Sequence, residues 1–253
     1  MTAMLELAGL EKTLNRRKVL DGLTLDVAPG KSLVIIGGSG VGKSVTIKSA
    51  IGIMRPDAGS VRIDGEDFLA LDRVGRERAV RKIGMLFQGG ALFDSLTIWE
   101  NVAFRLLYAD SVPRKEARER AVEVMRKVRL APDFANLRPV ELSGGMQKRA
   151  ALARAIIGAP KLIFFDEPTT GLDPITADAI NDLIVEMVKE LGSAAVSITH
   201  DMASARKIAD EIAMIYQGKI IWRGPARDVD ASGNAYVDQF VRGSADGPIQ
   251  AVV

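Results

Sequence analysis

One glycine-rich run constrains this chain more than any other feature, because it fits the pattern G-x-x-x-x-G-K-[S/T]. The run reads Gly37-Gly38-Ser39-Gly40-Val41-Gly42-Lys43-Ser44. Ser32–Ile36 before it predicts a buried strand, and Lys43–Ile51 after it predicts a helix. In such a loop the backbone N–H groups surround phosphate oxygens, the lysine reaches the β- and γ-phosphates, and the final hydroxyl binds Mg²⁺. A turn that binds nothing is the alternative. The order strand, loop, helix favours a site for a nucleoside triphosphate.

The composition narrows the classes of protein to which the chain can belong. Its 253 residues, 47% hydrophobic and 26% charged, suffice for one domain, or for a core domain with an inserted subdomain. The absence of cysteine excludes disulfides and thiolate nucleophiles, and the single histidine, His200, excludes a histidine-cluster metal site. The net charge is +2, and acidic residues interrupt the basic segment from Arg73 to Lys82, so a solvated face is favoured over nucleic-acid binding. No apolar stretch reaches the ~20 residues of a membrane span, and Met1 to Lys12 lack a signal-peptide pattern.

Apolar segments of strand length alternate with helix-like segments, which predicts an α/β fold. The strand-like segments are Leu23–Val27, Ser60–Asp64, Ile83–Phe87, Leu162–Phe165, Ala194–Thr199 and a hairpin of Ile212–Tyr216 with Lys219–Trp222. From about residue 89 to residue 158 helices and loops replace strands, which indicates a helical insertion. A helix that begins near Pro113 has an apolar face expected to pack in the core: Ala117, Ala121, Val124, Met125 and Val128. After Gly224 the sequence predicts a short helix, roughly Ala235–Val241.

Polar side chains follow three of these strands. Asp166 and Glu167 end one apolar run, His200 follows another, and Gln88 follows a third. Because the carboxyl ends of parallel strands form the ligand edge of a sheet, these groups are expected beside the phosphate loop. Asp166 would hold Mg²⁺ through water, and Glu167 would orient or deprotonate the attacking water. Gln88 would contact Mg²⁺ or that water, and His200 would donate to a γ-phosphate oxygen.

A second motif resembles the LSGGQ signature of ABC-type ATPases. It reads Glu141-Leu142-Ser143-Gly144-Gly145-Met146-Gln147 and precedes an expected helix over Lys148–Ile157. The motif order of that family is also present: phosphate loop, Gln88, signature, Asp166-Glu167, the loop Gly171-Leu172-Asp173, then His200. The resemblance covers residues 4 to 225. It implies a P-loop NTPase of the ABC type, an α/β nucleotide-binding domain with a mixed central sheet and an inserted helical subdomain.

The resemblance also implies how the chain is organised. A single ABC ATPase domain, residues 1–253, is expected, with a RecA-like core and an antiparallel β part over 1–88 and 159–225. Residues 89–158 would form the helical signature subdomain, and 226–253 a C-terminal tail.

In the family, two subunits stack head to tail and share two ATP sites. Ser143 and the backbone N–H groups of Gly144 and Gly145 open a helix, which makes an anion site. Ser143 and Gly145 of one subunit would contact the γ-phosphate held by Lys43 of the other, and Asp173 would cross the interface. A homodimer with ATP and Mg²⁺ is therefore expected.

Two positions depart from the family pattern. Met146 replaces the usual glutamine of the signature, which should leave Ser143 and the glycines intact. Leu14 stands where many relatives have an aromatic residue that stacks on adenine, so base stacking is expected to be weaker there.

Other segments resemble the Mla/Mce lipid-transport branch of the family. They are Phe87–Phe93, Ser143–Met146, Ala150–Ala155, Asp173–Thr176 and the end of the chain from Phe240 to Pro248. The likeness implies a peripheral subunit on the cytoplasmic face of the inner membrane. Its expected partners are an MlaE-type permease, an MCE-domain (MlaD-like) protein and a STAS-domain (MlaB-like) subunit. Its expected cargo is phospholipid or another hydrophobic molecule.

Two other functions share the same chemistry. One is the motor of a different ABC transporter, such as a solute importer, and the other is a non-transport ABC ATPase acting on DNA or ribosomes. The second is disfavoured because tandem ATPase domains and long coiled-coil insertions are absent from the sequence. A permease-docking surface is predicted at Leu92, Phe93 and Trp99, with core packing as the alternative.

Overall fold

The computed structural model describes residues 2–250 of the chain. Its strands are β1 Leu5–Leu14, β2 Arg17–Val27, β3 Ser32–Ile36, β4 Ala58–Ile63, β5 Glu66–Asp67, β6 Ile83–Leu86, β7 Leu162–Asp166, β8 Ala194–Ile198, β9 Glu211–Tyr216 and β10 Lys219–Pro225. Its α-helices are α1 Lys43–Ala50, α2 Arg73–Val80, α3 Ile98–Val102, α4 Phe104–Tyr108, α5 Arg114–Lys127, α6 Gly144–Ile156, α7 Pro174–Leu191, α8 Met202–Ile208 and α9 Ala235–Arg242. Short 3₁₀ helices span Pro132–Asn136, Pro139–Glu141 and Ala226–Ala231.

The chain divides into two compact units. The first consists of Met1–Arg76 with Ala194–Val253, and the second of Glu77–Ser193. The segment 89–158, which the sequence predicts to be helical, lies within the second unit. Each unit is described by itself below.

An antiparallel sheet forms one part of the first unit. Its strand order is β2-β1-β4-β5, and Leu5 of β1 lies opposite Val27 on one side and Ile63 on the other. The turn between β1 and β2 is formed by Asn15 and Arg16, both with positive φ (48° and 63°), as a two-residue hairpin requires. β1 was not among the predicted strands.

Parallel strands form the other part of the first unit. β3 pairs in parallel with β8 and β9, and β9 pairs with β10 in the predicted hairpin, so the set is mixed. Every residue of β3 and of β8 is buried, as apolar strands covered on both faces should be. The phosphate loop follows β3, and His200 follows β8. Because these two strands are parallel, both segments begin at the same edge of the sheet. The α/β fold class with a mixed sheet is therefore confirmed.

The second unit combines a parallel strand pair with helices. β6 pairs with β7, with Ile83 opposite Leu162. α5 follows Pro113 and buries Ala117, Ala121 and Met125, as its apolar face predicts, and Val128 directly after it is also buried. The helix after the signature begins at Gly144, four residues before the predicted start.

A buried asparagine organises the loop before α3. The Asn101 side chain accepts a hydrogen bond from the Phe93 N–H (2.7 Å) and donates to the carbonyl oxygens of Phe93, Leu96 and Thr97 (3.0–3.2 Å). Asn101 is completely buried, so these backbone groups have little access to water as replacement partners. The shape of residues 93–97 therefore depends on one amide.

We expect Asn101→Leu to lower the free energy of unfolding by about 2–4 kcal/mol, because it leaves several backbone polar groups unpaired. Urea denaturation followed by circular dichroism measures the change. Asn136→Leu, at an exposed position, is the matched control and should shift stability by less than about 0.5 kcal/mol. Equal losses in the two variants would contradict the role of Asn101.

Candidate active site

The phosphate loop adopts a conformation that only glycine permits at two positions. Gly37 has φ of 151°, and a Cβ there would lie 2.6 Å from the Ile215 carbonyl oxygen. Gly42 has φ of 116°, and its Cβ would lie 2.9 Å from the Val19 carbonyl oxygen. Both contacts are closer than real Cβ atoms approach backbone. The loop therefore lies directly on the neighbouring strands, and its shape is fixed by this packing.

Lys43 is the first residue of α1 and is buried. Its Nζ donates to the carbonyl oxygens of Gly37 (2.6 Å) and Gly38 (2.7 Å). The ammonium group of Lys43 thus binds the backbone of the phosphate loop. Ser44, next on α1, is half-buried, and Ser39 and Gly40 at the tip of the loop are exposed.

His200 follows β8 and is exposed. The turn that carries it is fixed by Asp201, whose N–H donates to the Thr199 hydroxyl oxygen (3.0 Å) and whose carboxylate caps α8. Burial acts to raise the pKa of Asp201, but hydrogen bonds from the Ser204 hydroxyl and from the N–H groups of Ala203 and Ser204 outweigh it and hold the pKa below its usual range. The histidine is therefore presented by a turn that an ionised carboxylate stabilises.

In the second unit, β7 ends at the first of the two predicted carboxylates, Asp166, and Glu167 follows it. Asp166 and Glu167 are both buried. Glu167 has a φ of +49°, an uncommon backbone conformation for a residue with a side chain. The Thr170 hydroxyl donates to its Oε2 (2.9 Å). Residues held in sparsely populated backbone regions concentrate at functional sites, which fits a catalytic role.

A buried lysine that sequence reasoning did not select lies beside these carboxylates. Lys148 of α6 points its Nζ at the Glu167 carbonyl oxygen (3.4 Å). Burial lowers the pKa of Lys148, while the charges of Asp166 and Glu167 act to raise it. The sequence gives no clear signal for it, because Arg149 and Arg154 of the same helix are also cationic and the contact with Glu167 spans 19 residues.

The signature begins α6 with a cap. Ser143 is the N-cap residue, and its hydroxyl oxygen accepts from the Met146 N–H (3.4 Å). A Cβ on Gly145 would lie 2.7 Å from the Thr176 methyl group of α7, so a larger residue there would displace the two helices. Ser143 and Gly144 are exposed, and Met146 is half-buried. The cap is intact despite Met146, and the start of this helix is exposed.

Asp173 caps α7. Its Oδ1 accepts from the N–H groups of Ile175 (3.1 Å) and Thr176 (3.0 Å). Hydrogen bonds from Thr176, and from the Ile175 N–H, hold the pKa of Asp173 below its usual value. Ile175, two residues further along the chain, exposes 84% of its surface.

Gln88 is exposed, two residues beyond the end of β6. The segment after it is held by Arg154 of α6, which donates to the carbonyl oxygens of Gly90 and Ala91 (2.7 Å each). Burial lowers the pKa of this arginine. Arg154 is a second positioning residue that sequence reasoning missed.

The structure corrects part of the predicted docking surface. Trp99 exposes only 6% of its surface, because it is the second residue of the buried α3. It belongs to the core, and the docking prediction for it is wrong. Phe93, in contrast, is 43% exposed.

The predicted site residues thus fall into two groups. The first unit carries Gly37, Gly38, Ser39, Gly40, Val41, Gly42, Lys43, Ser44 and His200. The second carries Gln88, Ser143, Gly144, Gly145, Asp166, Glu167 and Asp173, and there the signature glycines lie against the residues that flank Asp173. Leu14 ends β1 opposite Arg17 and is half-buried.

Comparison with known proteins identifies the class of protein to which the chain belongs. The family model described as ABC transporter matches residues 20–170. The intermembrane phospholipid transport system ATP-binding protein MlaF of Escherichia coli K12 is 37% identical over 246 residues, 97% of this chain and 91% of its own length. The probable ribonucleotide transport ATP-binding protein mkl of Mycobacterium leprae is 35% identical over 249 residues, 98% of this chain and 72% of its own. A solved dimeric structure of the ATP-binding cassette MJ0796, in a post-hydrolysis state with ADP and Pi, superposes with a TM-score of 0.81 at 33% identity, covering 88% of this chain and 99% of that one.

The chain belongs to the ABC transporter family. It is an ABC transporter ATPase, the ATP-binding motor subunit that hydrolyses ATP, and cassettes of this family dimerise. Across residues 2–250, each helix is either too short or too polar to span a membrane.

We expect Lys148→Met to lower kcat by about ten- to a hundredfold, because Glu167 loses the cation that holds its backbone and a misplaced catalytic group costs up to about a hundredfold. The affinity for ATP should stay the same, since Lys148 lies in the signature helix and not in the phosphate loop. ATPase kinetics with a parallel binding measurement test this. Lys127→Met, which removes an exposed lysine paired with Glu190, is the control. A loss of ATP affinity as large as the loss of kcat would contradict a positioning role.

Proposed function

We propose that this subunit drives an MlaE-type permease that moves phospholipid, or a similar hydrophobic molecule, between membranes of the bacterial envelope. The proposal is carried by the near-full-length likeness to MlaF, whose name describes intermembrane phospholipid transport. The segments Phe87–Phe93 and Ser143–Met146 support it, because they resemble the same branch. An MCE-domain protein and a STAS-domain subunit complete the proposed assembly, which lies at the cytoplasmic face of the inner membrane.

A relative of nearly equal identity carries a name for a different cargo, ribonucleotide. The catalytic residues are the same for either cargo, so the assignment is tested at the level of the complex. Purification from membranes should yield the permease, the MCE-domain protein and bound phospholipid, identified by mass spectrometry. A complex with a periplasmic solute-binding protein and no MCE-domain protein would refute the lipid assignment.

The proposed ATP site is divided between two copies of the chain. Lys43 and the loop N–H groups of one copy hold the triphosphate, while Ser143 and Gly145 of the other copy reach its γ-phosphate. The exposed, capped start of α6 supports this, because uncompensated N–H groups at a helix N-terminus attract anions. Asp173 would lie at the interface, beside the exposed Ile175.

The residues proposed for Mg²⁺ are Ser44, Gln88 and Asp166. All three offer oxygen, the ligand that Mg²⁺ prefers, and the ion binds with few protein ligands plus phosphate and water. Within residues 2–250 no cluster of three or more His, Cys, Asp or Glu side chains could hold a metal by itself. When bound, the ion neutralises charge on the β- and γ-phosphates.

The remaining steps belong to residues of the chain. Lys43, whose Nζ donates to the Gly37 and Gly38 carbonyl oxygens, would also donate to phosphate oxygens. Glu167, oriented by Thr170, orients or deprotonates the attacking water, and His200 donates to the γ-phosphate. Loss of that phosphate removes the group that both copies recognise, so the dimer opens and the permease follows.

We expect Glu167→Gln to bind ATP, hydrolyse it more than about a hundredfold more slowly, and accumulate as a closed dimer, because general-base contributions are about 10²–10⁴-fold. Size-exclusion chromatography with ATP and a phosphate-release assay measure both effects. Glu186→Gln, which alters an exposed carboxylate of α7 paired with Arg129, is the control. Normal turnover by Glu167→Gln would exclude it as the catalytic base.

The permease would dock on an aromatic cluster of the second unit. Phe93 stacks on Phe104 (ring centroids 4.5 Å apart), which in turn contacts Tyr108 (4.7 Å). Phe93 and Tyr108 are 43% and 61% exposed, and Leu92 beside them is half-buried. An exposed apolar cluster on a backbone fixed by Asn101 is suited to hold a partner segment.

We expect Phe93→Ala to weaken copurification with the permease while leaving the ATP affinity of the isolated subunit unchanged. Val74→Ala, which trims another exposed apolar side chain (73%), is the control. Undiminished recovery of the permease with Phe93→Ala would place the docking surface elsewhere.

A further inference from the structure

The last described residues of the chain form one wall of a pocket beside the phosphate loop. The pocket has a volume of about 670 Å³ and lies entirely within the first unit. Its walls are residues 17–19, 38–41, 216–218 and 248–250. Segment 38–41 belongs to the phosphate loop, so the pocket opens directly from the place where phosphates are bound. Its size is within the range of small-molecule sites, about 300–1,000 Å³.

A buried glutamine holds the tail in this position. Oε1 of Gln239 accepts from the Ile249 N–H (2.7 Å), and its Nε2 donates to the Ile249 carbonyl oxygen (2.9 Å). The same Nε2 donates to the Ser244 carbonyl oxygen (3.2 Å). An amide that pairs with both backbone groups of one residue fixes its orientation as well as its position. Gln239 is 8% exposed, so water competes little for these bonds.

The turn before Ile249 requires glycine. Gly247 has a φ of 153°, and a Cβ at this position would collide with the Gln239 side chain. The helix that carries Gln239, α9, is itself fixed: Asn234 caps it and donates to the Ile221 carbonyl oxygen (3.2 Å). The Tyr236 ring of α9 packs on Tyr216, another residue of the pocket wall (4.8 Å between centroids). The tail is therefore part of the folded unit.

We propose that Pro248, Ile249 and Gln250 contact the base and ribose of the ATP whose phosphates lie on the loop. The inference rests on the proposed role of Lys43 and its loop in holding the triphosphate. A nucleotide bound there by its phosphates must place its nucleoside beside the loop, where this pocket lies. Ile249 and Pro248 offer apolar surface to the flat face of a base, and the Gln250 amide can donate to or accept from its edge.

The residue at position 14 fits such a contact. Leu14, at the position where many relatives stack an aromatic ring on adenine, is not among the residues that line the pocket. Tyr216 supplies an aromatic side chain in the wall, and the tail supplies the apolar surface near it. The C-terminal segment thus takes over part of the recognition of the base.

The test separates the nucleoside from the phosphates. Binding of ATP and of inorganic triphosphate, each with Mg²⁺, is measured by calorimetry on the full-length chain and on Ile249→Ala. The loss of apolar contact should lower the affinity for ATP about five- to tenfold and leave the affinity for inorganic triphosphate unchanged. The alanine keeps both backbone bonds to Gln239, so the fold of the tail is preserved. Asp246→Asn, an exposed change in the same tail, should leave both affinities as they are.

Three results would overturn the inference. They are an unchanged affinity for ATP, an increased affinity for ATP, which would make the tail an obstacle, and an equal loss for ATP and triphosphate, which would place the effect on the loop. A wild-type chain that binds neither ligand would instead refute the role of the phosphate loop.

A second measurement does not depend on the stability of an alanine variant. The chain has no cysteine, so Gln250→Cys provides a single site for an environment-sensitive fluorophore. ATP should change its emission and inorganic triphosphate should not. Equal responses to the two ligands, or no response to either in a chain that binds both, would contradict the contact.

Discussion

The organisation of the second unit depends on three polar contacts made by one helix, α6. At its first turn the Ser143 hydroxyl oxygen accepts from the Met146 N–H, and Ser143 and Gly144 are exposed. Five residues further, Lys148 reaches the backbone of Glu167. In its last turn, Arg154 holds the carbonyl groups of Gly90 and Ala91, two and three residues after Gln88. One rigid element therefore positions the signature, the proposed base and the segment that leads to the aromatic cluster.

The burial of α6 explains why these contacts are well defined. Its inner face is made largely of alanine, with Ala150, Ala151 and Ala153 completely buried. Small side chains allow close packing with little room for rotation or sliding, and packed interiors resist deformation. Gly84 of β6 lies so close to the Ala155 carbonyl oxygen that no residue with a Cβ fits at this position. The long side chains of Lys148 and Arg154 therefore extend from a helix whose position is fixed by its packing.

The sequence was informative where function and local pattern coincide. The glycines at 37 and 42 could be recognised because a phosphate loop needs them at that spacing, and the carboxylates and His200 because they end apolar strands. β1 was missed because its pairing with β2 shifts register three times, which breaks the alternation of apolar and polar residues. Lys148 and Arg154 were missed for another reason: their partners lie 19 and about 64 residues away, and only packing brings them together. The docking prediction for Trp99 was wrong because core residues and docking residues are both apolar, and the sequence alone does not show which of them are buried.

Within the second unit, helix α6 connects Ser143, the proposed contact for the γ-phosphate, with the aromatic cluster proposed to bind the permease. The aromatic cluster of Phe93, Phe104 and Tyr108 is joined to the core through Asn101, and its first ring also lies under the guanidinium of Arg154 (6.0 Å). The opposite end of the same helix carries Ser143, the proposed contact for the γ-phosphate on a second copy. In the proposed dimer, a displacement of Ser143 on ATP binding or release would move the helix as one body, because closely packed interiors resist deformation. In the proposed assembly the cluster would move with it, and the state of the nucleotide would reach the permease without a separate relay. Under the proposed function, the choice of cargo would lie in the permease that the cluster binds.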